Sequence, residues 1–481
     1  MNYKETAYAK GEDMDCFSMI KCLPGEIRDP ELQGRSMAFL ERQALTESNA
    51  RSYPRKLPFA ISQAKGIYIK DVDNNVYYDC LSGAGALALG HNHEIVQKAI
   101  RQQLDHNLPM LTLDITTPVK DQFVTDLLQC FPPEFASTAK VQFCGPSGSD
   151  AVEAAIKLVK IATGRKTIMA FHGGYHGMTN GSLSMMGNLG TKSPVSGLMP
   201  DVHFLPYPYA YRCPFGDCSS SSCNRSCVNY IEHLLKDDES GISKPAGVIL
   251  EVIQGEGGKI PAPDEWLIQL RRITKELGIP LIIDEVQTGL GRTGKLFAFE
   301  HAGIIPDVVV LSKAIGGSLP LATIVYNKEL DLWGPGAHAG TFRGNQLAMA
   351  TGSATIRYIK ANRLDKNAHE MGQLFIEHFR IIQNQTRCLG DIRGRGLMLG
   401  IEIVNPKFTN PVNGTPERFG QLARRIQLEC FTRGLIIELG GRQSSVVRFL
   451  PPLTITRDQV NDICSIFKEA VTAAEDLLLT H

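Results

Sequence analysis

The stretch DVVVLSKAIGGSLPL, residues 307–321, places a lysine directly after a run of valines. The β-branched run Val308-Val309-Val310 predicts a buried strand, and the glycine pair after Lys313 predicts a turn. Lysine is almost never fully buried without a partner. Lys313 is therefore expected to pair with an acid, to reach solvent, or to take part in chemistry.

Short apolar runs alternate with helical patterns on both sides of this stretch. The segments 149–163 and 264–277 carry apolar residues at helical spacing. This alternation predicts an α/β fold with a mostly parallel central sheet and helices on both faces. The predicted strands are 139–144, 166–171, 246–251, 280–284, 307–311 and 322–326.

The chain is predicted to divide into four parts. Residues 1–45 are expected to form a weakly structured or peripheral N-terminal arm. Residues 46–114, with a hairpin that turns at residues 73–75, are expected to form the N-terminal segment of a small domain. Residues 115–345 form the predicted large domain, and residues 346–481 complete the small α+β domain after a long helical stretch.

Composition excludes several classes of protein. Among 481 residues, 50 basic side chains balance 50 acidic ones, so no overall field favours nucleic acid or an anionic membrane. No apolar run reaches the roughly 18–20 residues of a membrane span, and the N-terminus lacks the apolar core of a secretory signal. A cytoplasmic protein that binds a small molecule or a second copy of itself is expected.

Four of the twelve cysteines lie close together, in YRCPFGDCSSSSCNRSC at positions 213, 218, 223 and 227. Four thiols at this density are sufficient for a zinc site. The wide spacing, the absence of CxxC and the serine run favour instead a loop-like surface insertion, and no metal is predicted.

The ends of the predicted strands carry the polar groups of interest, and ligands of such sheets bind at the carboxyl ends of the strands. After strand 139–144, the turn Gly145–Asp150 opens a helix, as in an anion cradle, although a simple helix cap explains it equally well. Tyr175 in HGGYHG follows the next strand. The later strand ends supply carboxylates, an amide and the lysine: Glu251, Glu256, Asp284, Gln287 and Lys313.

Together these groups describe a pyridoxal phosphate site. The amine of a buried lysine has a depressed pKa and condenses with an aldehyde as a Schiff base. An aspartate such as Asp284 keeps a pyridinium ring protonated, so that the ring acts as an electron sink. The helix start would bind the phosphate, and Tyr175 would lie on the ring.

Two glycine-rich segments suggest other cofactors. GLGRTGK, residues 289–295, has the spacing of a phosphate loop, but Leu296 replaces the required Ser or Thr and the acidic strand precedes it. GAGALA, residues 83–88, has dinucleotide-binding spacing, but the sequence after it does not open as a clean helix. Neither segment is therefore predicted to bind a nucleotide.

From about residue 45 onward the sequence resembles the class III (ω-amino acid) branch of the fold-type-I pyridoxal-phosphate aminotransferases. Three further segments, within residues 79–93, 175–186 and 187–216, are more particularly similar to diaminobutyrate–2-oxoglutarate transaminases. The motifs that carry the wider resemblance are PSGSDAVEAAIKLVK, GGYHG, QGEGG, LIIDEVQTGLGRTG, LSKAIGGSLPL, GTFRGNQLA, RGRGLMLGIEI and VVRFLPPL.

The resemblance implies a role for each site residue. Lys313 forms the Schiff base and shuttles a proton, and Asp284 pairs with the ring nitrogen. The other cofactor contacts are Ser147, Gly148 and Ser149 at the phosphate, Tyr175 on the ring, Glu251 and Gln287 beside it, and Thr341 at the phosphate of a partner subunit, which implies a homodimer.

Arg448 is implied to bind a substrate carboxylate, and Glu256 to act as a switch. Glu256 pairs with Arg448 when an ω-amino substrate enters, and releases Arg448 for an α-carboxylate. Several relatives carry a second arginine where this chain has Met178. Arg343 and Arg442 are candidates to replace it, although each is also explained as a solvated surface charge.

The implied reaction converts L-2,4-diaminobutyrate and 2-oxoglutarate to L-aspartate 4-semialdehyde and L-glutamate, or the reverse. Another ω-aminotransferase, acting on ornithine, 4-aminobutyrate or a diamine, is the first alternative. A pyridoxal-phosphate-binding protein without turnover is an alternative of a different class.

Overall fold

The computed structural model describes residues 34–216, 219–409 and 414–479. Its large sheet has seven strands, of which six run in one direction and one, Thr323–Asn327, runs against both neighbours. This confirms the predicted α/β class and the mostly parallel sheet. Across the sheet the strands follow the order Ala139–Phe143, Thr323–Asn327, Val308–Leu311, Leu281–Asp284, Gly247–Leu250, Ile168–Phe171 and Val202–Leu205.

Six of these strands were predicted, with ends that differ by at most two residues. The seventh, Val202–Leu205, was missed because a histidine interrupts the short apolar run VHFL. It lies at the sheet edge, where it pairs with Ile168–Phe171 alone.

The valine run after Asp307 is apolar throughout because both faces of the sheet are covered. Val308 and Val310 pack on the face that carries the helix Gly148–Thr163, and Val309 packs into the core on the opposite face. All three side chains are fully buried.

The helix Gly148–Thr163 begins and ends at recognisable caps. The hydroxyl of Ser147 accepts the N–H of Asp150, and Gly164 leaves the helix with a φ of 67°. Glycine adopts this left-handed conformation without a steric penalty. The cap holds the first turn of the helix beside the ends of the central strands.

Two further sheets lie outside the large one. The predicted hairpin is present as Tyr68–Asp71 and Val76–Asp79, and the Asp71 carboxylate accepts the N–H groups of Asp73 and Asn75 in its turn. The N-terminal sheet has the order Ile61–Lys65, Tyr68–Asp71, Val76–Asp79 and Leu435–Ile436, so it takes its last strand from the C-terminal part of the chain. The C-terminal sheet has the order Leu389–Arg395, Met398–Thr409, Val446–Phe449 and Glu438–Gly440, with Pro416–Arg418 beside its second strand. A short two-stranded pair, Ile253–Gln254 and Ile260–Pro261, contacts the strand Leu389–Arg395 of the C-terminal sheet.

The remaining helices connect and cover these sheets, and 264–277 was predicted almost to the residue. They are Gly34–Thr46, Tyr53–Lys56, Glu94–Asp105, Pro118–Leu128, Pro133–Ala136, Asn180–Ser184, Leu189–Lys192, Ser220–Lys236, Asp264–Glu276, Gln346–Ala361, Leu364–Gln383, Gly420–Thr432 and Arg457–Leu479. Within the parts of the chain described above, no helix combines the length and the apolarity needed to cross a membrane.

Residues 34–45 of the predicted weakly structured or peripheral arm lie in the helix Gly34–Thr46, most of whose side chains are exposed. The Asp73 carboxylate accepts the N–H groups of Arg35 and Ser36, and so satisfies donors at the helix start. Residues 1–33 of the arm lie outside the described residues.

The prediction of a loop-like surface insertion around the clustered cysteines is wrong. The serine run starts the helix Ser220–Lys236, because the hydroxyl of Ser219 caps it by accepting the N–H of Ser222. Cys213, Cys223 and Cys227 are buried, and Cys218 lies outside the described residues. A hydrogen bond with Cys227, together with burial, raises the pKa of the Cys223 thiol.

Candidate active site

A cavity of about 170 Å³ lies where four strands of the large sheet end. The strands Gly247–Leu250, Leu281–Asp284 and Val308–Leu311 are parallel neighbours, and Ile168–Phe171 follows beside the first of them. Their carboxyl ends therefore share one edge. Eight of the predicted site residues line the cavity: Gly148, Ser149, Tyr175, Glu251, Glu256, Asp284, Gln287 and Lys313.

Lys313 leaves the strand in an unusual backbone conformation, with a φ of 50°. This left-handed region is rare for residues with a side chain, and such residues concentrate at functional sites. Burial lowers the pKa of the Lys313 amine, and the nearby carboxylates of Glu256 and Asp284 only partly oppose this effect. The amine therefore gives up its proton more readily than an exposed lysine.

Asp284 is held by two hydrogen bonds at the end of its strand. Oδ1 accepts the N–H of Val286 at 3.0 Å, and Oδ2 lies 2.7 Å from Nδ1 of His176. Burial opposes a charge on His176, but the hydrogen bond and the charge of Asp284 raise its pKa overall. His176 belongs to the predicted HGGYHG segment, yet the sequence analysis gave it no role. The 108 positions that separate it from Asp284 in sequence explain why.

Glu251 joins the two loops that flank the cavity. Its carboxylate accepts the N–H of Tyr175 at 2.9 Å and the N–H of Gly255 at 2.8 Å. Burial raises its pKa to about 7. Glu251 thus fixes the backbone that carries Tyr175 and Glu256, in addition to lining the cavity.

The start of the helix Gly148–Thr163 closes the cavity on another side. A side chain at position 148 would lie 3.1 Å from the Val286 side chain, so glycine permits this close packing. The hydroxyl of Ser149 accepts the N–H of Met178, which ties the helix start to the loop after Tyr175. Unpaired N–H groups at such a helix start attract phosphate.

This set of groups fits pyridoxal phosphate. The cavity offers a buried amine, a buried carboxylate held by a histidine, an aromatic side chain and the N–H groups of a helix start. Ser147 lies just outside, as the cap of that helix. Thr341 is exposed in the turn Thr341–Gly344 and does not line the cavity, so its predicted role across a subunit interface stays a prediction.

Arg448 is fully buried between two carboxylates. Its Nη1 lies 2.6 Å from Oε1 of Glu256, and its Nη2 lies 2.9 Å from Oε2 of Glu438. Tyr53 donates its hydroxyl to Glu438 at 2.8 Å. Burial opposes the charge of Arg448, but both carboxylates raise its pKa overall. Glu438 and Tyr53 were not predicted, and no spacing signal in the sequence connects them to Arg448.

A wider cleft of about 1040 Å³ opens next to the cavity. Tyr175, Met178 and Glu256 line it, and Arg442 lines its rim. Arg343 lies elsewhere, with its Nη2 2.6 Å from the carboxylate of Asp114. Of the two arginines considered above, only Arg442 faces this cleft.

The two glycine-rich segments form turns. Residues 83–88 form turns between strand Val76–Asp79 and helix Glu94–Asp105. Residues 289–295 are also turns, and a short 3₁₀ segment, Ala298–His301, follows them in place of a helix.

Residues 49–471 match the family of class III aminotransferases. The chain belongs to this family. The aminotransferase is 54% identical to a diaminobutyrate–2-oxoglutarate aminotransferase of Rhizobium meliloti, over 91% of this chain and 93% of the relative. It is 50% identical to a protein of the same name from Haemophilus influenzae, over 91% of this chain and 95% of the relative.

Solved structures of transaminases share the fold of this aminotransferase. An amine transaminase from an uncultivated Pseudomonas species, solved with pyridoxal phosphate bound, has a TM-score of 0.78 at 27% identity, over 89% of this chain and 98% of that one. A thermostable ω-transaminase mutant from Pseudomonas jessenii has a TM-score of 0.80 at 26% identity, over 91% and 98% of the two chains. The chain is a pyridoxal-phosphate-dependent transaminase.

Proposed function

We propose that this transaminase interconverts L-2,4-diaminobutyrate and 2-oxoglutarate with L-aspartate 4-semialdehyde and L-glutamate. The contact between Glu256 and Arg448, at the edge of the cavity that contains Lys313, carries the proposal. While Glu256 pairs with Arg448, the site suits the terminal amine of diaminobutyrate. When Glu256 moves away, Arg448 is able to bind the α-carboxylate of glutamate. The names of the two relatives at 50–54% identity support the choice of substrates.

Each residue of the cavity has a separate role in the proposed reaction. When bound, pyridoxal phosphate supplies an aldehyde for the amino group and a ring that accepts electrons. Lys313 provides the amine that holds the cofactor and later moves the proton at the substrate carbon. Asp284, held by His176, would pair with the ring nitrogen, and the start of the helix Gly148–Thr163 would bind the phosphate.

Arg448 and Arg442 are proposed to bind the two carboxylates of glutamate and 2-oxoglutarate. Arg448 binds the α-carboxylate of glutamate after Glu256 has moved away, and stays masked when the terminal amine of diaminobutyrate reacts. Arg442 binds the second carboxylate of glutamate or 2-oxoglutarate from the rim of the cleft, where Met178 offers no charge. Lys56 and Lys192 add positive charge to the same cleft, and Glu256 is the one acid among the described residues that line it.

The proposal includes a homodimer in the cytoplasm. Thr341 of one subunit would contact the phosphate in the other, which suits its exposed position outside its own cavity. The large domain of residues 115–345 would hold the cofactor, and residues 46–114 and 346–481 would form the small domain, after an arm of residues 1–45. The shared N-terminal sheet supports the joining of those two segments.

The visible absorbance of the cofactor tests the function directly. We expect diaminobutyrate to bleach the band of the holoenzyme and 2-oxoglutarate to restore it, and we expect Lys313→Ala to lack the band. A stronger response to ornithine, 4-aminobutyrate or a diamine would overturn the proposed substrate. A band that no amine converts would indicate a binding protein without turnover.

A further inference from the structure

A second cavity, of about 210 Å³, lies next to the wider cleft, with which it shares His172 and Arg442. Arg212, Arg418 and Gln254 also line it, and the roles above do not use it. No carboxylate is among the described residues that line this cavity. Guanidinium groups bind carboxylates and phosphates in preference to other partners. The lining is therefore suited to an anion.

The carboxylates beside this cavity do not balance its arginines. Nε of Arg418 lies 3.4 Å from Oε1 of Glu402, and Arg212 and Arg393 pair with the same carboxylate. Asp391 pairs with Arg393. Burial lowers the pKa of Arg418, and the charge of Glu402 only partly opposes this effect. Three guanidinium groups share two carboxylates, so an excess of positive charge remains even before the fourth arginine is counted.

The guanidinium groups of Arg418 and Arg442 have donors to spare. Within the described parts of the chain, the Nη atoms of Arg418 and the guanidinium nitrogens of Arg442 form no hydrogen bond. Arg212 differs, because it donates to Oγ1 of Thr415 at 3.2 Å and to the carbonyl oxygen of Pro416 at 2.7 Å. Since Arg418 and Arg442 both line the cavity, one anion inside it would be able to contact both.

Gln254 adds an acceptor that lacks a donor. Its Nε2 donates to the carbonyl oxygen of His172 at 2.8 Å, which fixes the orientation of the amide. Its Oε1 is buried and has no hydrogen-bond partner among the described residues. A side chain at position 173 would lie 2.8 Å from this oxygen and 3.2 Å from Nη2 of Arg442, so both atoms border the space that Gly173 leaves open. This combination suits an anion that also donates a hydrogen bond.

Inorganic phosphate has both properties. Its charged oxygens accept hydrogen bonds from guanidinium groups, often as bidentate pairs. It keeps at least one proton near neutral pH, so a hydroxyl remains to donate. A phosphate monoester loses its last proton with a pKa of about 6, and a dicarboxylate has none at neutral pH. The unpaired acceptor therefore favours inorganic phosphate over these other dianions.

We propose that this cavity binds inorganic phosphate between Arg418 and Arg442, and that the bound phosphate keeps Arg442 from the cleft. The inference rests on the proposed function, which assigns Arg442 to the second carboxylate of 2-oxoglutarate. Phosphate and that carboxylate then compete for one guanidinium group. Phosphate thus weakens the binding of the acceptor from a site that the acceptor does not occupy.

Calorimetric titration of the holoenzyme with inorganic phosphate tests the binding. The cofactor then fills the helix start at Gly148, where free phosphate would otherwise bind. We expect one phosphate per chain, and a Kd that is higher by about tenfold or more in Arg418→Gln, which loses a charged contact in the cavity but none in the cleft. Sulfate has a similar size but no proton to donate near neutral pH, so it should bind the natural protein more weakly.

Arg357→Gln is the matched control. Nε of Arg357 lies 2.9 Å from Oδ2 of the buried Asp126, much as Nε of Arg418 lies near Glu402, but Arg357 lines neither the two cavities nor the cleft. This variant should bind phosphate as the natural protein does. Equal affinity in Arg418→Gln and the natural protein would overturn the proposal, as would a holoenzyme that does not bind phosphate. If Arg418→Gln does not fold, sulfate decides, because sulfate that binds as tightly as phosphate would also overturn it.

Steady-state kinetics test the competition for Arg442. Phosphate should raise the KM for 2-oxoglutarate in proportion to its concentration, and should change the KM for 2-oxobutyrate, which lacks the second carboxylate, much less. The effect should be largely lost in Arg418→Gln. Phosphate that binds without changing the KM for 2-oxoglutarate would overturn the proposal. Phosphate that acts as expected in an enzyme that prefers another amino donor would instead count against the proposed function alone.

Discussion

Oε1 of Glu256 lies 2.6 Å from Nη1 of Arg448, and Glu256 lines both the cofactor cavity and the wider cleft. The two partners differ in exposure to solvent. Arg448 is fully buried and is also held by Glu438, whereas about 40% of the Glu256 side chain is exposed. A ligand that enters from the cleft therefore meets Glu256 first, and we expect the ligand to displace Glu256 rather than Arg448.

Replacing Glu256 by glutamine should affect the two half-reactions unequally. In Glu256→Gln the neutral amide no longer compensates the positive charge of Arg448. The terminal amine of diaminobutyrate then competes poorly with a carboxylate for the space beside Arg448. A hydrogen bond between charged groups contributes roughly 1.5–3 kcal/mol, so kcat/KM for diaminobutyrate should fall about tenfold or more relative to glutamate. Single-turnover measurements of each half-reaction check this expectation.

Glu438→Gln is the control, because Glu438 holds Arg448 from the buried side and has no route into the cleft of its own. Its loss should weaken both half-reactions to a similar extent. Equal losses in Glu256→Gln would contradict the switch.

Arg442 and Arg343 offer a matched pair of substitutions. Arg442→Gln should raise the KM for 2-oxoglutarate by about tenfold or more, since a charged contact to the second carboxylate is lost. It should change the KM for 2-oxobutyrate, which lacks that carboxylate, much less. Arg343→Gln removes a guanidinium that pairs with Asp114 away from the cleft, and should leave both KM values close to those of the natural protein. A larger effect from Arg343→Gln than from Arg442→Gln would reverse the assignment.

The sheet could be predicted from the sequence because its strands are short apolar runs that end in polar residues. Parallel topology then brings their ends to one edge, so Asp284 and Lys313 were expected to lie near each other before any coordinates were considered. Local signals also sufficed for the helix at Gly148, where a serine cap precedes a run of alanines.

The residues that hydrogen-bond to these side chains could not be predicted from the sequence in the same way. His176 binds Asp284 across 108 positions of the chain, and Glu438 faces Arg448 from the neighbouring strand. The first contact depends on how loops pack and the second on the register of two strands, and periodicity encodes neither. The loop prediction for the helix Ser220–Lys236 failed for another reason. A serine run is typical of loops, but here it begins a helix.

Removing the histidine that holds Asp284 should weaken the site without unfolding the protein. His176→Phe keeps a ring of similar size but donates no hydrogen bond to Oδ2 of Asp284. We expect weaker binding of pyridoxal phosphate and a kcat lower by about tenfold, in line with a charge-assisted hydrogen bond. Equilibrium dialysis of the cofactor and steady-state kinetics measure the two effects.

His176→Asn should restore part of both losses if its amide reaches Asp284, because the donor and not the ring is the relevant feature. Thermal unfolding of the cofactor-free protein separates this role from a general packing defect. A Phe variant with unchanged cofactor affinity would show that Asp284 does not need this donor.

The raised pKa of Glu251 predicts how the free energy of unfolding depends on pH. Its pKa is about 7 in the folded protein, above the ordinary value of 4.5, so the folded state keeps the proton over a range in which the unfolded chain has lost it. The folded state thus binds more protons between these values, and the free energy of unfolding should fall as pH rises from 4.5 to 7, by up to roughly 3 kcal/mol. Glu251→Gln removes this contribution, so urea unfolding of the cofactor-free variant should vary less with pH in that window.

The amide of Glu251→Gln accepts through one oxygen only, so either Tyr175 or Gly255 loses the acceptor for its N–H. The variant should therefore also bind the cofactor more weakly, since the loop that carries Tyr175 is no longer fixed. Glu285→Gln separates the two effects. Burial also raises the pKa of Glu285 to about 7, but its carboxylate accepts the N–H of Phe299 and does not line the cavity. Both variants should flatten the pH dependence, and only Glu251→Gln should release the cofactor. An unchanged pH slope in Glu251→Gln would mean that its carboxyl group titrates as an exposed glutamate does.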